Sequence, residues 1–260
     1  MSDTMAGDPA TAQAFLRKVW PRAVAAVRRE VADMQAIADR EDPGTTIEPW
    51  DYLYYAEKVR KAKYDLDQAA LKPYFELDNM VAAALWSAER RFDITDTDTG
   101  RHRALFYLDN FARPGKRSGA WASGYRTQSS MDAPVTAIAS NNNNFVKGEP
   151  GEPVLISLND AETLFHEFGH ALHTMLQDVR YRSLAGTPRD YVELPSQLNE
   201  RWLLTREVLD RFARHYETGA AIPQALVDRI ERSGKFNQGY TTLEYLAAAI
   251  LDMDLHTRPD

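Results

Sequence analysis

Two histidines one helical turn apart, His166 and His170, constrain this chain more than any other feature. For both imidazoles to reach one target, the residues around them must be helical, since a turn takes about 3.6 residues. Glu167, Phe168 and Gly169 lie between them, completing the pattern H-E-x-x-H, in which the two rings grip one zinc ion. Glu167 projects about 100° around the axis from His166, beside the ion rather than onto it, where a general base for an attacking water belongs. On a helical wheel Glu162, His170, His173 and Gln177 share the His166 side, while Leu164, Phe168, Ala171, Leu172 and Met175 gather opposite. The segment reads as an amphipathic helix with ligand chemistry on one face and core-forming side chains on the other. The bland alternative is a buried helix whose histidines satisfy core hydrogen bonds, and three histidines on one face weigh against it. Asn159 or Asp160 is expected to cap this helix, and Glu162 suits its first turn. Gly169 costs about 1 kcal/mol relative to Ala inside a helix, so a close-packed neighbour is expected there.

A catalytic zinc takes a third protein ligand and keeps one position open. The chain contains no cysteine, so histidine and carboxylate must supply every ligand and no disulfide forms. The leading candidate for the third ligand is Glu193, just ahead of Pro195. That proline suits the first turn of a second helix, whose apolar stripe continues through Leu198, Trp202 and Leu209. Glu200, about two turns further on, competes for the role; otherwise it is a solvated carboxylate or one that supports a ligand from behind. Glu162, one turn before His166, is expected either to hold the His166 tautomer through a hydrogen bond or to be an ordinary surface carboxylate.

Phe165-His166-Glu167-Phe168-Gly169-His170-Ala171-Leu172-His173, followed by Asp190-Tyr191-Val192-Glu193-Leu194-Pro195-Ser196-Gln197, resembles the thimet oligopeptidase and neurolysin family of zinc metallopeptidases. Leu198-Asn199-Glu200-Arg201-Trp202, Lys235-Phe236-Asn237-Gln238-Gly239-Tyr240 and Leu251-Asp252-Met253-Asp254 are similar to its bacterial peptidyl-dipeptidase branch. Glu48-Pro49-Trp50-Asp51 and the run from Ala112 through Arg113, Pro114 and Gly119 to Trp121 match as well, so the resemblance covers nearly the whole chain. It implies a mainly α-helical, zincin-like fold with a small β-sheet. It also implies one Zn(2+) per chain on His166, His170 and Glu193, with Glu167 as the catalytic base. The implied substrates are short peptides, from which C-terminal dipeptides are released. An endo-acting oligopeptidase, or a remnant that binds zinc or peptide without turnover, are the alternatives. The chain is read as part of a catalytic domain. The family continues beyond residues 256–260 with a Gly- and Tyr-rich stretch that contacts substrate and the oxyanion. It also has a long helical region before the point matching Met1, and about two dozen more residues near positions 92–96.

The remaining sequence fits a soluble enzyme. Apolar residues make up 44% and charged residues 27%, ordinary for a globular protein, and a net charge of −7 argues against a nucleic-acid partner. No run approaches the 18 or so apolar residues that span a bilayer, and the N-terminus lacks an apolar signal core. A cytoplasmic monomer is expected. Residues 1–95 read as helical, 96–158 as a small sheet with loops, and 159–260 as the zinc-binding helical part. Asp8-Pro9 opens a helix that Pro21 interrupts or kinks, and residues 52–64 and 78–92 form two more. Strands are expected at 104–108, 134–139 and 154–156, with a Gly- and Ser-rich run between the first two. An exposed edge of that sheet suits pairing with an extended peptide. Asn141 to Asn144 reads as a polar surface loop, and residues 96–100 as a turn rather than a calcium loop. Helices follow over 195–216, 223–233 and 240–253. Ala185-Gly186-Thr187-Pro188 reads as a connector, similar to a flexible family loop beside the substrate channel.

Overall fold

The structure, a computed structural model, describes residues 4–64, 68–92 and 102–258. The turn expected at residues 96–100 lies outside the described residues. In chain order the elements are α1 (Pro9–Glu41), α2 (Tyr52–Tyr64), α3 (Gln68–Leu71) and α4 (Leu77–Phe92). The strands β1 (Ala104–Phe111), β2 (Trp121–Arg126) and β3 (Ala137–Phe145) come next. Helices α5 (Leu158–Met175), α6 (Glu193–Leu203), α7 (Arg206–Phe212), α8 (Gln224–Ser233) and α9 (Gln238–His256) complete them. The expected class, mainly helical with one small sheet, is the observed one. The described parts of Met1–Asp67 and Ala225–Asp260 form one compact unit, and those of Gln68–Gln224 form another. No helix among the described residues is long and apolar enough to cross a membrane.

In the first unit, α1 starts where the Asp8 carboxylate accepts the Thr11 N–H at 2.8 Å, with Pro9 in the opening turn. The helix then continues through Pro21 rather than stopping there. One lost ladder bond is outweighed by packing of the remaining helix against α2 and α9. Met34, Ile37, Ala38, Tyr55, Ala56 and Val59 form the core between α1 and α2. Helix α9 meets α1 at Gly239, where an added Cβ would lie 2.7 Å from the Ala26 Cβ. The N–H groups of Gly239 and Tyr240 donate to the Glu30 carboxylate at 2.8 and 2.9 Å. A side chain over two hundred positions away thus satisfies the exposed amides of the α9 N-terminus, which a local cap usually does.

In the second unit the sheet order is β1-β3-β2, with β1 parallel and β2 antiparallel to the central β3. Helix α5 packs against β3 and β2 on one side and against α6 on another. Two expectations about this sheet are overturned. The strand expected at 154–156 is reduced to an isolated bridge between Leu155 and Glu76, flanked by the Leu77 N–H to Val154 O bond at 2.9 Å. Asn141 to Asn144 is not a surface loop but the second half of the central strand, and Asn141 and Asn143 have no exposed surface. Asparagine has low β-propensity, and burial of its amide costs free energy unless hydrogen bonds replace water. The amide nitrogens find partners, Asn142 Nδ2 donating to Trp121 O at 3.2 Å, Asn143 Nδ2 to Asn110 Oδ1 at 2.9 Å, and Asn144 Nδ2 to Arg117 O at 2.7 Å, while Asn143 Oδ1 is buried without one. Strand β2, in the Gly- and Ser-rich run, gave no strand signal in the sequence. The single helix expected over 195–216 is also divided, at Leu204 and Thr205. The Thr205 hydroxyl bonds back to Trp202 O at 2.8 Å, competing with helix continuation.

Candidate metal centre

Helix α5 begins at Ser157, a correction to the expected cap at Asn159 or Asp160. Ser157 Oγ accepts the Asp160 N–H at 3.1 Å, and Asp160 Oδ2 accepts the Ser157 N–H at 3.0 Å, a reciprocal capping box. About two and a half turns of helix then separate this start from His166. The apolar face, with Leu164, Phe165, Phe168, Ala171 and Leu172, is buried, as the wheel requires. Phe168 meets Phe106 of β1 with ring centroids 5.4 Å apart.

Helix α6 approaches this helix at Gly169. A Cβ there would stand 2.7 Å from Ser196 Cα, 2.8 Å from Pro195 O and 2.9 Å from Asn199 Cβ. Two of these are backbone atoms, so no side-chain rotation relieves the clash. The close neighbour expected from a glycine inside a helix is therefore the α6 backbone. At this spacing Asn199 Nδ2 donates to Phe165 O at 2.7 Å, one peptide before His166. Gly169→Ala is expected to destabilise the chain by about 1–3 kcal/mol, the usual cost of overpacking. It should also weaken metal binding, because α6 carries Glu193. Thermal unfolding with and without added zinc checks this, the gap between the two widening in the wild type and shrinking in the variant.

Glu193 lies at the first position of α6 and reaches back over α5. Its Oε2 is 3.2 Å from His166 Nε2 and 3.2 Å from His170 Nε2, and the two Nε2 atoms are 3.2 Å from each other. Among the described residues these three side chains form a group able to hold a metal ion. Ligand atoms at tetrahedral corners, each about 2.0–2.1 Å from zinc, stand about 3.3 Å apart, so the triangle has the dimensions of such a face. Ser196 Oγ fixes the carboxylate by donating to Glu193 Oε2 at 2.9 Å. Burial pushes His170 below the ordinary histidine range, against the pull of Glu193. Its ring is thereby kept neutral near pH 7, the form that offers a lone pair to a metal.

His166 Nδ1 lies 2.5 Å from Glu200 Oε1. A proton on Nδ1, shared with that carboxylate, leaves Nε2 as the acceptor facing Glu193 and His170. The contact with His166 expected of Glu162 is thus made by Glu200. Glu162 lies on the same side, half-buried, and burial together with the charge of Glu200 pushes its carboxyl above the usual range. Glu200, weighed in the sequence as a rival third ligand, stands behind His166 instead.

Glu167 is 7% exposed and does not join the triangle. Burial raises its carboxyl above the ordinary value, while His166 and the Ala122 backbone N–H draw it down and Glu193 adds to the rise. A cavity of about 430 Å³ opens above these groups, between α5 and strand β2. Trp121, Ser123, His166, Glu167, His170 and Glu193 line it. His173, the third histidine of the face, lines it too, with its ring 6.3 Å from that of Tyr191. Sequence reasoning missed Ala122, Asn141 and Asn199, whose roles depend on strands and helices far apart in the chain.

The comparisons with known proteins agree with this geometry. Residues 1–260 match the model of peptidase family M3. Dipeptidyl carboxypeptidase of Escherichia coli (strain K12) is 40% identical over 98% of this chain and 41% of its own length. Oligopeptidase A of the same organism is 31% identical over 100% of the chain and 42% of its own length. Saccharolysin of Saccharomyces cerevisiae is 26% identical over 99% and 41%. The chain spans about two fifths of the length of these relatives. A whole-chain family match, together with a metal-competent His-His-Glu face on two abutting helices, leads to one assignment: this chain belongs to peptidase family M3.

Proposed function

We propose that this chain is the zinc-holding part of a metallopeptidase that cleaves short peptides and releases C-terminal dipeptides. The observation that carries this reading is the 3.2 Å triangle of His166, His170 and Glu193, with Glu167 beside it at the floor of a cavity. Identity with dipeptidyl carboxypeptidase supports the exo-acting form. Similarity to oligopeptidase A over the whole chain favours an endo-acting form as the second reading.

In this mechanism His166, His170 and Glu193 would hold one Zn(2+) per chain, which would supply Lewis-acid polarisation of a peptide carbonyl and a water acidified toward neutrality. Glu167 accepts the proton of the attacking water and returns it to the departing amine. Its burial suits that exchange, because a carboxyl raised above its ordinary value is a stronger proton acceptor. Glu200 keeps the His166 tautomer fixed with Nε2 unprotonated. Strand β2, at the edge of the sheet and along the cavity wall, offers its outer main-chain groups to an extended peptide. A cytoplasmic location is part of the same reading, with which a sequence free of cysteine is compatible.

Fluorogenic peptides with free and blocked C-termini, assayed before and after chelation, test this reading. Cleavage that requires the free C-terminus, stops on chelation and returns with zinc is the expected result. Cleavage of both peptides favours the endo-acting form. Silence with zinc bound overturns the catalytic reading.

A further inference from the structure

The backbone of Glu167 is held from outside its own helix. Asn141, fully buried in β3, donates from its side-chain amide to Glu167 O at 2.8 Å and accepts the Phe168 N–H at 2.8 Å. Ala122 of β2 lies directly opposite Asn141 in the β2–β3 register and lines the same cavity as Glu167. The strand pair beside the cavity is therefore the one that grips the helix at the base.

We propose that Asn141 is a positioning residue for Glu167, fixing the helix backbone at the base against the central strand of the sheet. The proposal rests on the reading of Glu167 as the proton acceptor. A helix peptide already has partners in its own ladder, so packing alone gives no reason to bury an amide against it. A leucine, with the same number and branching of heavy atoms, would carry no cost in polar desolvation there. Asn142 and Asn144 instead tie down β2 and the segment before it. Asn142 Nδ2 donates to Trp121 O at 3.2 Å and Ser140 Oγ at 3.0 Å, and Asn144 Nδ2 donates to Arg117 O at 2.7 Å and Gly119 O at 2.6 Å. The entry to β2, and with it the Ala122 N–H, is tied to the same strand that grips Glu167. The carboxylate is carried on that backbone, so holding the Glu167 and Phe168 peptides narrows the positions it samples. Displacement by about 1 Å costs on the order of 100-fold in rate.

A double-mutant cycle in the zinc-loaded protein tests the proposal, with Asn141→Ala and Asn141→Leu each combined with Glu167→Gln. Alone, each Asn141 variant is expected to lower kcat by about 10–100-fold with KM and zinc content unchanged. In the Glu167→Gln background the same change should cost less than about twofold, because the residue it positions is no longer a base. An equal loss in both backgrounds, or no loss in either, overturns the proposal. Where neither Asn141 variant folds, Asn141→Ser, which is smaller and keeps a hydroxyl, takes their place in the same cycle. Amide exchange provides a readout independent of turnover. The Phe168 N–H should exchange about tenfold faster in Asn141→Ala than in the wild type. Unchanged Phe168 exchange in that variant overturns the brace, even in a protein that hydrolyses peptides. Faster exchange in a protein inactive toward peptides supports the brace while the peptidase reading fails.

Discussion

Glu167→Gln is expected to lower peptide turnover by about 100- to 10,000-fold while the protein still holds one zinc per chain, the range that loss of a general base produces. Gln has the same shape and fits the same niche, so the cost is chemical rather than steric. The side chain is 7% exposed and burial already works against its charged form, so a neutral amide should be tolerated there without loss of fold. It stands outside the triangle of His166, His170 and Glu193, so metal affinity should change little. The distinction is measurable: kcat/KM collapses, zinc content by atomic absorption does not, and thermal unfolding stays within a few degrees of the wild type. Turnover at the wild-type level in this variant would remove Glu167 from the mechanism.

The parts of the site that sequence revealed are those that depend on local geometry. Spacing of four puts His166 and His170 on one face, and a helix start just before Pro195 brings Glu193 to the end of α6 that faces them. Gly169 announced a close approach because glycine inside a helix is otherwise a cost without a return. What stayed hidden depends on partners distant in the chain. Glu162 and Glu200 were both plausible supports for His166, and only the crossing of α6 over α5 brings Glu200 to Nδ1. The four asparagines resembled a loop because their polarity is locally uncompensated; their hydrogen-bond partners belong to β1, β2, α5 and the segment before β2. Strand β2 escaped notice for a similar reason. Its Ser and Gly carry little strand preference, and pairing with β3 supplies what propensity lacks. The cap at Ser157, by contrast, was legible in principle, since Ser157 and Asp160 stand at capping-box spacing.

Removal of Glu193 should be more damaging to the metal than removal of Glu200. Loss of an outer partner such as Glu200 costs about 10–100-fold in metal affinity. Glu193→Ala deletes one of the three side chains that, among the described residues, form the group able to hold a metal, and its loss should exceed that range. Ser196 Oγ, which holds the carboxylate at 2.9 Å, is a weak neutral donor atom, and Glu200 is committed to His166 Nδ1. The two imidazoles alone, 3.2 Å apart, form an edge rather than a face. The helices themselves should persist, because the α5–α6 contact rests on Gly169 and Asn199 and not on the exposed Glu193 side chain. The most direct measurement is therefore the zinc retained by the wild type and by Glu193→Ala after the same dialysis. One zinc per wild-type chain and none in the variant is the predicted result; equal zinc in both, or none in the wild type, would contradict the centre described here.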